Sequence, residues 1–491
     1  MKVRLRLNAD LFEGFTVTEA HTAVFNWLFR HHHHGQLYVR LDDLSFRTAG
    51  SDGEAPAVEG DPLELLKWLG IDWEHGPDKP GEFGQLRLSE RLPIYREWVD
   101  KLLETGIAYY CFFTPKEVED MYIQQRIHGL KPRYEPRWTK VDAPEMERRR
   151  EAGEWTSIRL KVPDHVVEIN DIIRGKIVHN GPEHSDFVVM RSGDVPTRSF
   201  ADVIDDEVMG MTHVVRSEGN KADNAYRGFI ADALGLSLPD YVHLPVILAQ
   251  DRTLLSERHG TVEVGAFRDL GYMSGALVNY LCQHGWDPGE TESIRTLGSL
   301  ARSFHIEDIQ KDHSTWDIND LNTWNRLAID KIKDAALIEM LDPYLVAEGH
   351  DLSAQGQDWA KALVAAVRPG LTCLSQIVEA VPTYFAEKVD PDDSAAQLLK
   401  QSDALKVLLA VEEAAEGMSS ITRDNYREVV NAARGAISSR GKALVLTRAL
   451  LTGHEAGTEF SKLLPLLGRE KVLSRLDNMR RFVPRGRNKK K

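Results

Sequence analysis

Four consecutive histidines at positions 31–34 form the densest group of potential metal ligands in the sequence. Imidazole nitrogens bind Zn²⁺ and other transition metals, and a histidine run is also typical of a purification tag. This run continues a helical pattern at 21–30 and is followed almost directly by a strand pattern at 36–41, so it lies within the chain. Because a tag is normally placed at a chain end, we interpret the run as the hydrated end of a helix. Metal binding is the less favoured alternative.

The three cysteines, Cys111, Cys282 and Cys373, are far apart and form no CxxC pair. Neither a disulfide framework nor a cysteine zinc site is expected, and a reducing cytoplasm suits this composition. The N-terminus has no apolar signal region, and no run approaches the roughly 18 apolar residues of a membrane span. We therefore expect a cytoplasmic protein without a membrane partner.

Basic residues are concentrated at the C-terminus, although the whole chain has a formal charge of -14. They are Arg480, Arg481, Arg485, Arg487, Lys489, Lys490 and Lys491. The net charge argues against a protein that coats nucleic acid indiscriminately, but a local basic surface can still bind RNA. The tail is either a solvated, disordered segment or an RNA-contacting one, and the sequence leaves both interpretations open.

The N-terminal patterns predict a parallel sheet. A chain of 491 residues is too long for one core, and two to four domains are expected. Strand patterns at 2–7 and 37–41 flank a helical pattern at 18–30, and helices are predicted at 61–69 and 92–105. A strand–helix–strand order is typical of a βαβ unit.

A second block repeats this arrangement further along the chain. It comprises apolar runs at 187–190, 203–204 and 212–215, a helical pattern at 224–234 and a strand pattern at 243–248. The intervening segment is rich in Arg, Lys, Glu and Pro, with strand-like pieces at 158–162 and 176–178, which indicates an inserted domain. From about residue 272 the pattern is helical, with apolar residues spaced i, i+3, i+4 at 396–411 and 461–476. The predicted fold class is α/β plus all-α.

Ordered sequence blocks along nearly the whole chain carry a family resemblance. They are TAVFNWLFR at 22–30, LLKWLGIDW at 65–73, SERLPIY at 89–95, CFFTP at 111–115, KPRY at 131–134, DDEVMGMTHVVR at 205–216, LTG at 451–453 and LLGREKVL at 466–473. These blocks resemble bacterial class I glutamyl-tRNA synthetases. The resemblance implies a Rossmann-type catalytic domain with an inserted acceptor-binding domain, followed by α-helical stem-contact and anticodon-binding domains.

The resemblance also implies the limits of these domains. They are a first catalytic half at 1–110, an inserted acceptor-stem-binding domain at 111–186, a second catalytic half at 187–250, a stem-contact region with a degenerate KMSKS-type loop at 251–345, and an anticodon-binding domain with the basic tail at 346–491.

Both ATP-handling signatures of the family are broken in this chain. The histidine–glycine signature should occupy positions 16–19, which here include Thr16, Thr18 and Glu19 and contain neither histidine nor glycine. The lysine-rich loop, KLSKRHG in the family, reads LLSERHG at 254–260. Its four degenerate signature positions are Leu254, Ser256, Glu257 and Arg258, with Leu254 and Glu257 in place of the two lysines.

Loss of these groups bears directly on ATP chemistry. Cationic groups stabilise the pentavalent transition state of adenylate formation, and electrostatic stabilisation is usually the largest catalytic effect. We therefore expect adenylate formation to be slower by orders of magnitude than in a family member with intact signatures. ATP is accordingly not predicted as a cofactor.

The amino-acid pocket is altered more selectively. By resemblance, Arg6 and Arg216 retain the family's glutamate-binding arginines, which hold carboxylates through paired hydrogen bonds. Asp42 replaces a glutamate, Arg198 replaces a pocket tyrosine, and Asp202 occupies another pocket position. The resemblance thus implies a small-molecule ligand with a carboxylate, without fixing it as glutamate.

Several acids are added around the old ATP position. They are Asp10, Glu13, Glu19, Asp42, Asp43, Asp202 and Glu257. Such a group would disfavour a triphosphate but could hold Mg²⁺ or a cationic substrate. We favour the alternative, in which these carboxylates are solvated or paired with Arg6, Arg198 and Arg216.

Three functional hypotheses follow. The favoured one is a non-catalytic or regulatory paralogue that binds tRNA, with glutamate-accepting tRNA as the expected partner. The second is a pocket repurposed as a different enzyme of a dedicated pathway, acting on a charged tRNA or a small molecule. The third is an active glutamate–tRNA ligase with deviant signatures.

Overall fold

The computed structural model describes residues 2–12, 14–44, 60–137, 143–218, 221–289 and 293–484. The candidate acid Glu13 and five of the C-terminal basic residues, Arg485, Arg487, Lys489, Lys490 and Lys491, lie outside the described residues. The chain divides into two compact units. The first comprises residues 1–268 and 274–324, and the second comprises 269–273 and 325–491.

The strands all belong to the first unit. They are β1 (Arg4–Asp10), β2 (Gln36–Asp42), β3 (Ala108–Cys111), β4 (Ser157–Leu160), β5 (Val166–Asp171), β6 (Gly175–Asn180), β7 (Phe187–Arg191), β8 (Val195–Pro196), β9 (His213–Ser217), β10 (Asp240–Leu244), β11 (Ile247–Leu248) and β12 (Ser314–Thr315).

The α-helices occur in both units. They are α1 (Val17–His32), α2 (Pro62–Trp68), α3 (Leu92–Glu104), α4 (Pro115–Ile127), α5 (Ala143–Glu151), α6 (Arg198–Val208), α7 (Lys221–Leu234), α8 (Val264–Asp269), α9 (Ser274–Cys282), α10 (Leu297–Ser303), α11 (Ile318–Lys331), α12 (Asp334–Ala347), α13 (Gln357–Val367), α14 (Ile377–Tyr384), α15 (Asp393–Leu399), α16 (Ser402–Glu416), α17 (Tyr426–Ala436), α18 (Arg440–Thr452) and α19 (Phe460–Met479).

The main sheet of the first unit has the strand order β2-β1-β9-β10-β5-β6. All neighbouring pairs are parallel except β5 and β6, so the predicted parallel sheet is confirmed. Strands β3, β4, β7 and β8 form a separate antiparallel sheet, and β11 and β12 form a parallel pair. Strands β5 and β6 of the predicted inserted domain continue the main sheet. The domain limits derived from the resemblance remain predictions.

Two apolar runs of the second block do not have the predicted position. The run at 187–190 is a strand, but it belongs to the antiparallel sheet rather than the parallel one. The run at 203–204 lies inside α6, where Val203 and Ile204 are buried beside Phe200 and Ala201. A short apolar run fits a buried helix face as well as a strand, so its period alone could not decide between them.

Strand β1 presents two chemically different faces. Leu5, Leu7 and Ala9 alternate with Arg6, Asn8 and Asp10, and alternate residues of a strand point to opposite faces. The neighbouring strand β2 continues this pattern, with residue 40 level with residue 8 and residue 42 level with residue 10. The sheet therefore has one face that carries a row of charged side chains.

The histidine run is the end of α1, as the sequence predicts. Helix α1 ends at His32 and His33 is its C-cap residue, while His33 and His34 are exposed. The ring of His31 stacks on Trp27 with a centroid distance of 4.5 Å. In the described part of the chain, no group of three or more histidine, cysteine or acidic side chains is arranged to hold a metal ion.

The second unit is helical, as predicted from the C-terminal periodicity. The pattern at 396–411 is divided between α15 and α16, and α19 is interrupted at Gly468, which has a φ of 67°. Within the described residues, no single helix is long and apolar enough to cross a membrane. One bent pair of helical segments, Gln357–Gly370 and Leu374–Tyr384, together has the length and apolar composition of a membrane span, but the two segments are bent by 114°. Its apolar residues contribute to the core of this unit.

Two buried histidines of the first unit predict a pH-dependent stability. His21 Nε2 lies 2.6 Å from the carbonyl of His284, and His284 Nδ1 lies 2.9 Å from Ser314 Oγ. Burial lowers the pKa of His21 to about 4 and that of His284 to about 3. Between pH 6.5 and 4 the unfolded chain therefore binds protons that the folded chain does not. We expect the free energy of unfolding to decrease as the pH is lowered through this range, by up to about 1.4 kcal/mol per pH unit for each ring.

Urea unfolding measured at several pH values between 7 and 4.5 checks this expectation. The variant His21→Gln, which keeps a hydrogen-bond donor, should have a shallower pH dependence than the wild type. The variant His34→Asn, at an exposed position, serves as the control. Its pH dependence of unfolding should equal that of the wild type. Equal slopes in all three proteins would contradict the assignment.

Candidate functional site

A cavity of about 1190 Å³ lies in the first unit. It is bordered by the carboxyl ends of β1, β2 and β9, the first residues of α1 and α6, and the loop at 254–258. Open parallel sheets bind ligands beyond the carboxyl ends of their strands. The lining includes all twelve candidate residues: Arg6, Thr16, Thr18, Glu19, Asp42, Arg198, Asp202, Arg216, Leu254, Ser256, Glu257 and Arg258.

Other lining residues were not predicted. Asn8, Gly14, Glu218, Arg227 and Glu263 also face the cavity. Asn8 could have been found, because it alternates with Arg6 and Asp10 along β1. The remaining four belong to no recognised motif.

The predicted gathering of acids is only partly observed. Asp10 lines the cavity, but Asp43 is directed elsewhere. Its carboxylate accepts hydrogen bonds from Ser89 N at 2.9 Å and Ser89 Oγ at 2.6 Å. Asp43 therefore has a local structural contact that its position in the sequence does not reveal.

A fully buried arginine, Arg40, lies at the centre of an ion network beneath the cavity. Its guanidinium donates to Asp42 Oδ1 at 2.7 Å, to Asp202 Oδ1 at 3.0 Å and to Asp205 Oδ2 at 2.8 Å. Asp205 also accepts from Arg91 Nη2 at 2.7 Å and from Tyr95 OH at 2.8 Å. The network thus connects β2 to α6 and α3.

Arg6 belongs to the same network. Its Nε donates to Asp206 Oδ1 at 2.9 Å, and its Nη1 lies 3.0 Å from Asp202 Oδ1. Arg227 Nη2 donates to Asp202 Oδ2 at 2.7 Å. Burial lowers the pKa of Arg6, but the two carboxylates outweigh it and hold that pKa above the usual range. Arg6 is therefore already neutralised by the protein.

Two positions that depart from the synthetase pattern contact each other in the cavity. Arg198, the first residue of α6, pairs through Nη2 with the carboxylate of Asp10, the last residue of β1. Asp10 Oδ1 also accepts from Phe12 N at 2.7 Å. Arg198 Nε lies 3.7 Å from Asp42 Oδ2. The substitutions at 10 and 198 therefore form one structural unit.

Arg216 differs from the other cavity arginines. No described residue forms a hydrogen bond or an ion pair with its guanidinium. The group is half-buried. Burial and the nearby guanidinium of Arg227 lower the pKa of Arg216 to about 10. A positive group in this position gains stability when an anion binds to it.

The N-terminus of α1 is capped by its own side chains. Thr16 Oγ1 accepts from Thr18 N at 3.2 Å, and Glu19 Oε2 accepts from Thr16 N at 3.1 Å. This reciprocal capping box occupies amide groups at the helix start. Thr16 and Glu19, which stand in the degenerate first signature, thus stabilise the helix locally.

The segment before α1 is held against a neighbouring segment that contains Glu263. Val17 N donates to Val262 O at 2.9 Å, and Val264 N donates to Phe15 O at 2.9 Å. Gly14 has a φ of 79°, and a Cβ added there would lie 2.6 Å from Glu263 Oε1. Glycine is therefore favoured at position 14 by its left-handed backbone conformation, and a side chain there would also displace the Glu263 carboxylate.

The degenerate second signature is an exposed loop that bonds to itself. Arg258 donates to Thr253 Oγ1 at 2.6 Å and to His259 Nε2 at 2.9 Å. Leu254 and Glu257 are exposed. The one cation of this signature is thus engaged within its own loop.

The charges on the cavity wall are mixed. The described lining residues include seven carboxylates and five guanidinium groups, without a lysine or a histidine. Four of those arginines, Arg6, Arg198, Arg227 and Arg258, contact carboxylates or other acceptors of the protein. The wall can therefore bind a single anionic group through Arg216, but it lacks a cluster of free cations.

Comparison with known proteins gives consistent matches over most of the chain. Residues 15–323 match the family model described as tRNA synthetases class I (E and Q), catalytic domain, and residues 336–480 match the model described as anticodon binding domain. The chain is 34% identical to glutamate–tRNA ligase 2 of Caldanaerobacter subterraneus subsp. tengcongensis, over 94% of this chain and 95% of that protein. It is 33% identical to the glutamate–tRNA ligase of Geobacillus stearothermophilus, over 93% and 94% of the two chains.

A solved structure shows the same fold. The glutamate tRNA ligase from Elizabethkingia meningosepticum in complex with its amino acid has a TM-score of 0.79 to this chain at 22% identity. The match covers 98% of this chain and 99% of that one. The predicted Rossmann-type class I catalytic fold followed by a helical anticodon-type domain is thereby confirmed.

The buried ion network predicts the effect of removing one of its charges. The variant Asp205→Asn keeps the shape of the side chain but leaves Arg40 and Arg91 with one carboxylate fewer. Because breaking a buried ion pair leaves an uncompensated charge, we expect a loss of about 3–5 kcal/mol in the free energy of unfolding.

The matched control is Glu64→Gln, which removes an exposed ion pair with Lys67 at 3.0 Å. Exposed pairs contribute about 0–1 kcal/mol, so this variant should unfold near the wild-type urea concentration. A loss of less than about 1 kcal/mol in Asp205→Asn would show that the network does not stabilise the fold as described.

Proposed function

This chain belongs to the class I glutamyl-tRNA synthetase family of bacteria, and on that premise we propose that it binds tRNA without activating glutamate by ATP. The proposed tRNA is one that accepts glutamate. The proposed small-molecule ligand carries a carboxylate that Arg216 binds. The protein thus acts as a tRNA-binding, non-catalytic or regulatory member of the family.

The capping box at the start of α1 carries the proposal. A helix N-terminus attracts phosphate because its amides are unpaired and its dipole is positive. Here Thr16 Oγ1 and Glu19 Oε2 accept hydrogen bonds from amides at this position. A triphosphate approaching the first turn of α1 would meet a carboxylate instead of free N–H groups, so the residues present do not fit ATP.

The second signature supports the same conclusion. A lysine at position 257 would place a cation on the loop that borders the cavity, whereas Glu257 places a carboxylate there. Reversing the sign of such a group removes electrostatic stabilisation on the scale of about 3–4 kcal/mol for one lost donor. Glu19, Glu257 and Glu263 together make this side of the cavity unsuitable for polyphosphate.

The pairing of the inner carboxylates argues against a divalent metal in the proposed function. Asp10, Asp42 and Asp202 each contact a guanidinium group. Magnesium usually binds one or two carboxylates that are free to coordinate it. We therefore adopt the interpretation in which these acids are paired with arginines, which holds for Arg6 and Arg198. The expected pairing with Arg216 is not found among the described residues.

Binding of tRNA is supported by the similarity of both units to synthetase domains. The second unit matches an anticodon binding domain, and the two relatives described above are named glutamate–tRNA ligases. Within the segment predicted to bind the acceptor stem, Arg149 and Arg150 lie over Phe112 and Tyr110 at 5.6 and 4.7 Å. Phe112 is buried, so the candidate RNA contacts here are the guanidinium groups, which bind RNA backbones and stack on bases.

A repurposed pocket is the second candidate function. The observation that favours it is the contact between Asp10 and Arg198, two substituted positions 188 residues apart in sequence. A pocket that had only lost function need not contain a newly matched ion pair. On this hypothesis the cavity binds a different carboxylate ligand for chemistry on a charged tRNA or a small molecule.

The proposal predicts no measurable ATP–pyrophosphate exchange. The assay uses L-glutamate with and without glutamate-accepting tRNA, and an intact synthetase purified in parallel is the positive control. We expect a rate lower than that control by at least about three orders of magnitude, which corresponds to about 4 kcal/mol. Exchange at a rate within about tenfold of the control would support the third hypothesis, an active ligase with deviant signatures.

Binding of tRNA is predicted to be retained. Gel-shift titrations of the full chain should show a complex with glutamate-accepting tRNA, weakening as salt rises because phosphate contacts release counterions. A tRNA for another amino acid is the matched comparator and should bind more weakly. Absence of any complex at low salt would contradict the tRNA-binding proposal and favour a small-molecule enzyme.

A further inference from the structure

Arg216 has an immediate neighbour on the main sheet, His243. Residue 243 of β10 is directly level with residue 216 of β9 in a parallel pairing. Residues level with one another on adjacent strands project from the same face, and the strands are about 4.8 Å apart. The imidazole of His243 and the guanidinium of Arg216 therefore rise side by side from the sheet.

The ring of His243 is fixed by Asp171. His243 Nδ1 lies 2.6 Å from Asp171 Oδ2, and His243 N donates to the same oxygen at 3.0 Å. Asp171 Oδ1 accepts from Ile173 N at 2.9 Å and from Arg174 N at 2.6 Å. The ring of Tyr241 stacks on His243 with a centroid distance of 5.6 Å. These contacts define both the position and the orientation of the imidazole.

The contact with Asp171 also determines which ring nitrogen carries the proton. Burial raises the pKa of the Asp171 carboxyl, but the hydrogen bonds from His243 and from Arg174 N outweigh it and leave that pKa lowered. Asp171 is therefore ionised at neutral pH and acts as an acceptor, so Nδ1 holds the proton. In the neutral ring, Nε2 then presents a lone pair.

That lone pair has no hydrogen-bond partner. Nε2 of His243 is buried, and none of the described residues bonds to it. The guanidinium of Arg216, on the adjacent strand, likewise has no partner among the described residues. A guanidinium has five N–H donors, and a carboxylate bound side-on uses two of them. Donors remain for a neighbouring acceptor.

We propose that His243 is a positioning residue for Arg216, whose guanidinium donates one N–H to His243 Nε2 while it binds the carboxylate of the ligand. Asp171 maintains the tautomer in which Nε2 is an acceptor. The inference rests on the proposed function, in which Arg216 is the carboxylate-binding group. It adds a buried Asp171–His243 pair, which does not touch the ligand, to the residues that determine affinity.

Two substitutions at position 243 distinguish the effect of the acceptor at Nε2 from the effect of the rest of the imidazole ring. In His243→Gln the amide oxygen reaches the place of Nε2, whereas His243→Asn is too short to present an acceptor there. Asp171→Asn removes the charge that holds the proton on Nδ1, which allows an N–H to face the guanidinium. The control is His34→Asn, because His34 is exposed at the end of α1 and does not line the cavity.

The test is calorimetric titration of the full-length variants with L-glutamate, glutarate and butyrate as probes. We expect binding of at least one probe to the wild type and its loss in Arg216→Gln. Affinity should fall about tenfold in His243→Asn and Asp171→Asn, and stay within about threefold of the wild type in His243→Gln and His34→Asn. Circular dichroism establishes that each variant is folded.

Imidazole ¹⁵N spectra of the wild type provide a readout that a purely structural role would not change. The His243 ring should be in the Nδ1–H tautomer, and its Nε2 resonance should move on ligand addition in the wild type but not in Arg216→Gln. If His243→Asn binds as the wild type does while Arg216→Gln does not bind, the positioning role is wrong and the proposed function stands. If Arg216→Gln binds normally, or the wild type binds none of the probes, the carboxylate site and the positioning role both fail.

Discussion

Charge pairing around Arg40 is the constraint on which the cavity and the elements around it depend. A guanidinium without exposure to water needs acceptors around it, and when these are carboxylates their attraction must offset the cost of removing both charges from water. Arg40 meets this condition through Asp42, Asp202 and Asp205. Each of these carboxylates lies on β2 or α6, so the strand and the helix cannot move apart without exposing a charge pair.

The pairing of charges also limits which ligand groups the cavity can bind. Arg6, Arg40, Arg91 and Arg227 face Asp42, Asp202, Asp205 and Asp206, so the buried network is neutral in itself. The pair formed by Arg198 and Asp10 is neutral as well. Arg216 is the cavity arginine that lacks a described partner, and in the proposed function recognition of a ligand anion is therefore concentrated on one strand, β9. Neighbouring residues of the sheet gain importance because they decide where that guanidinium points.

Sequence patterns predicted the elements better than the contacts between them. The sequence correctly predicted β1, α1, β2 and the helical C-terminal half. Alternation and i, i+4 spacing are local properties, so these elements can be recognised without knowledge of their contacts. The run at 203–204 was assigned to a strand-like block because two apolar residues do not distinguish a strand from the buried face of α6. Resemblance supplied the signature positions, but Asp10 and Arg198 were found to be partners only from the structure. Arg91 and Arg227 were missed because their partners Asp205 and Asp202 are distant in sequence, and no local pattern pairs residues so far apart.

The capping box of Thr16 and Glu19 has a consequence for how this chain could change over time. An N-cap interaction contributes about 1 kcal/mol to helix stability, and α1 packs against the central strands of the sheet. Replacing Glu19 by a small residue would remove the carboxylate that accepts from Thr16 N, which is the reciprocal half of the capping box. A substitution at position 19 alone therefore lowers the stability of the helix start. The capping box therefore favours retention of Glu19 for the stability of the helix start, whatever the ligand of the cavity is.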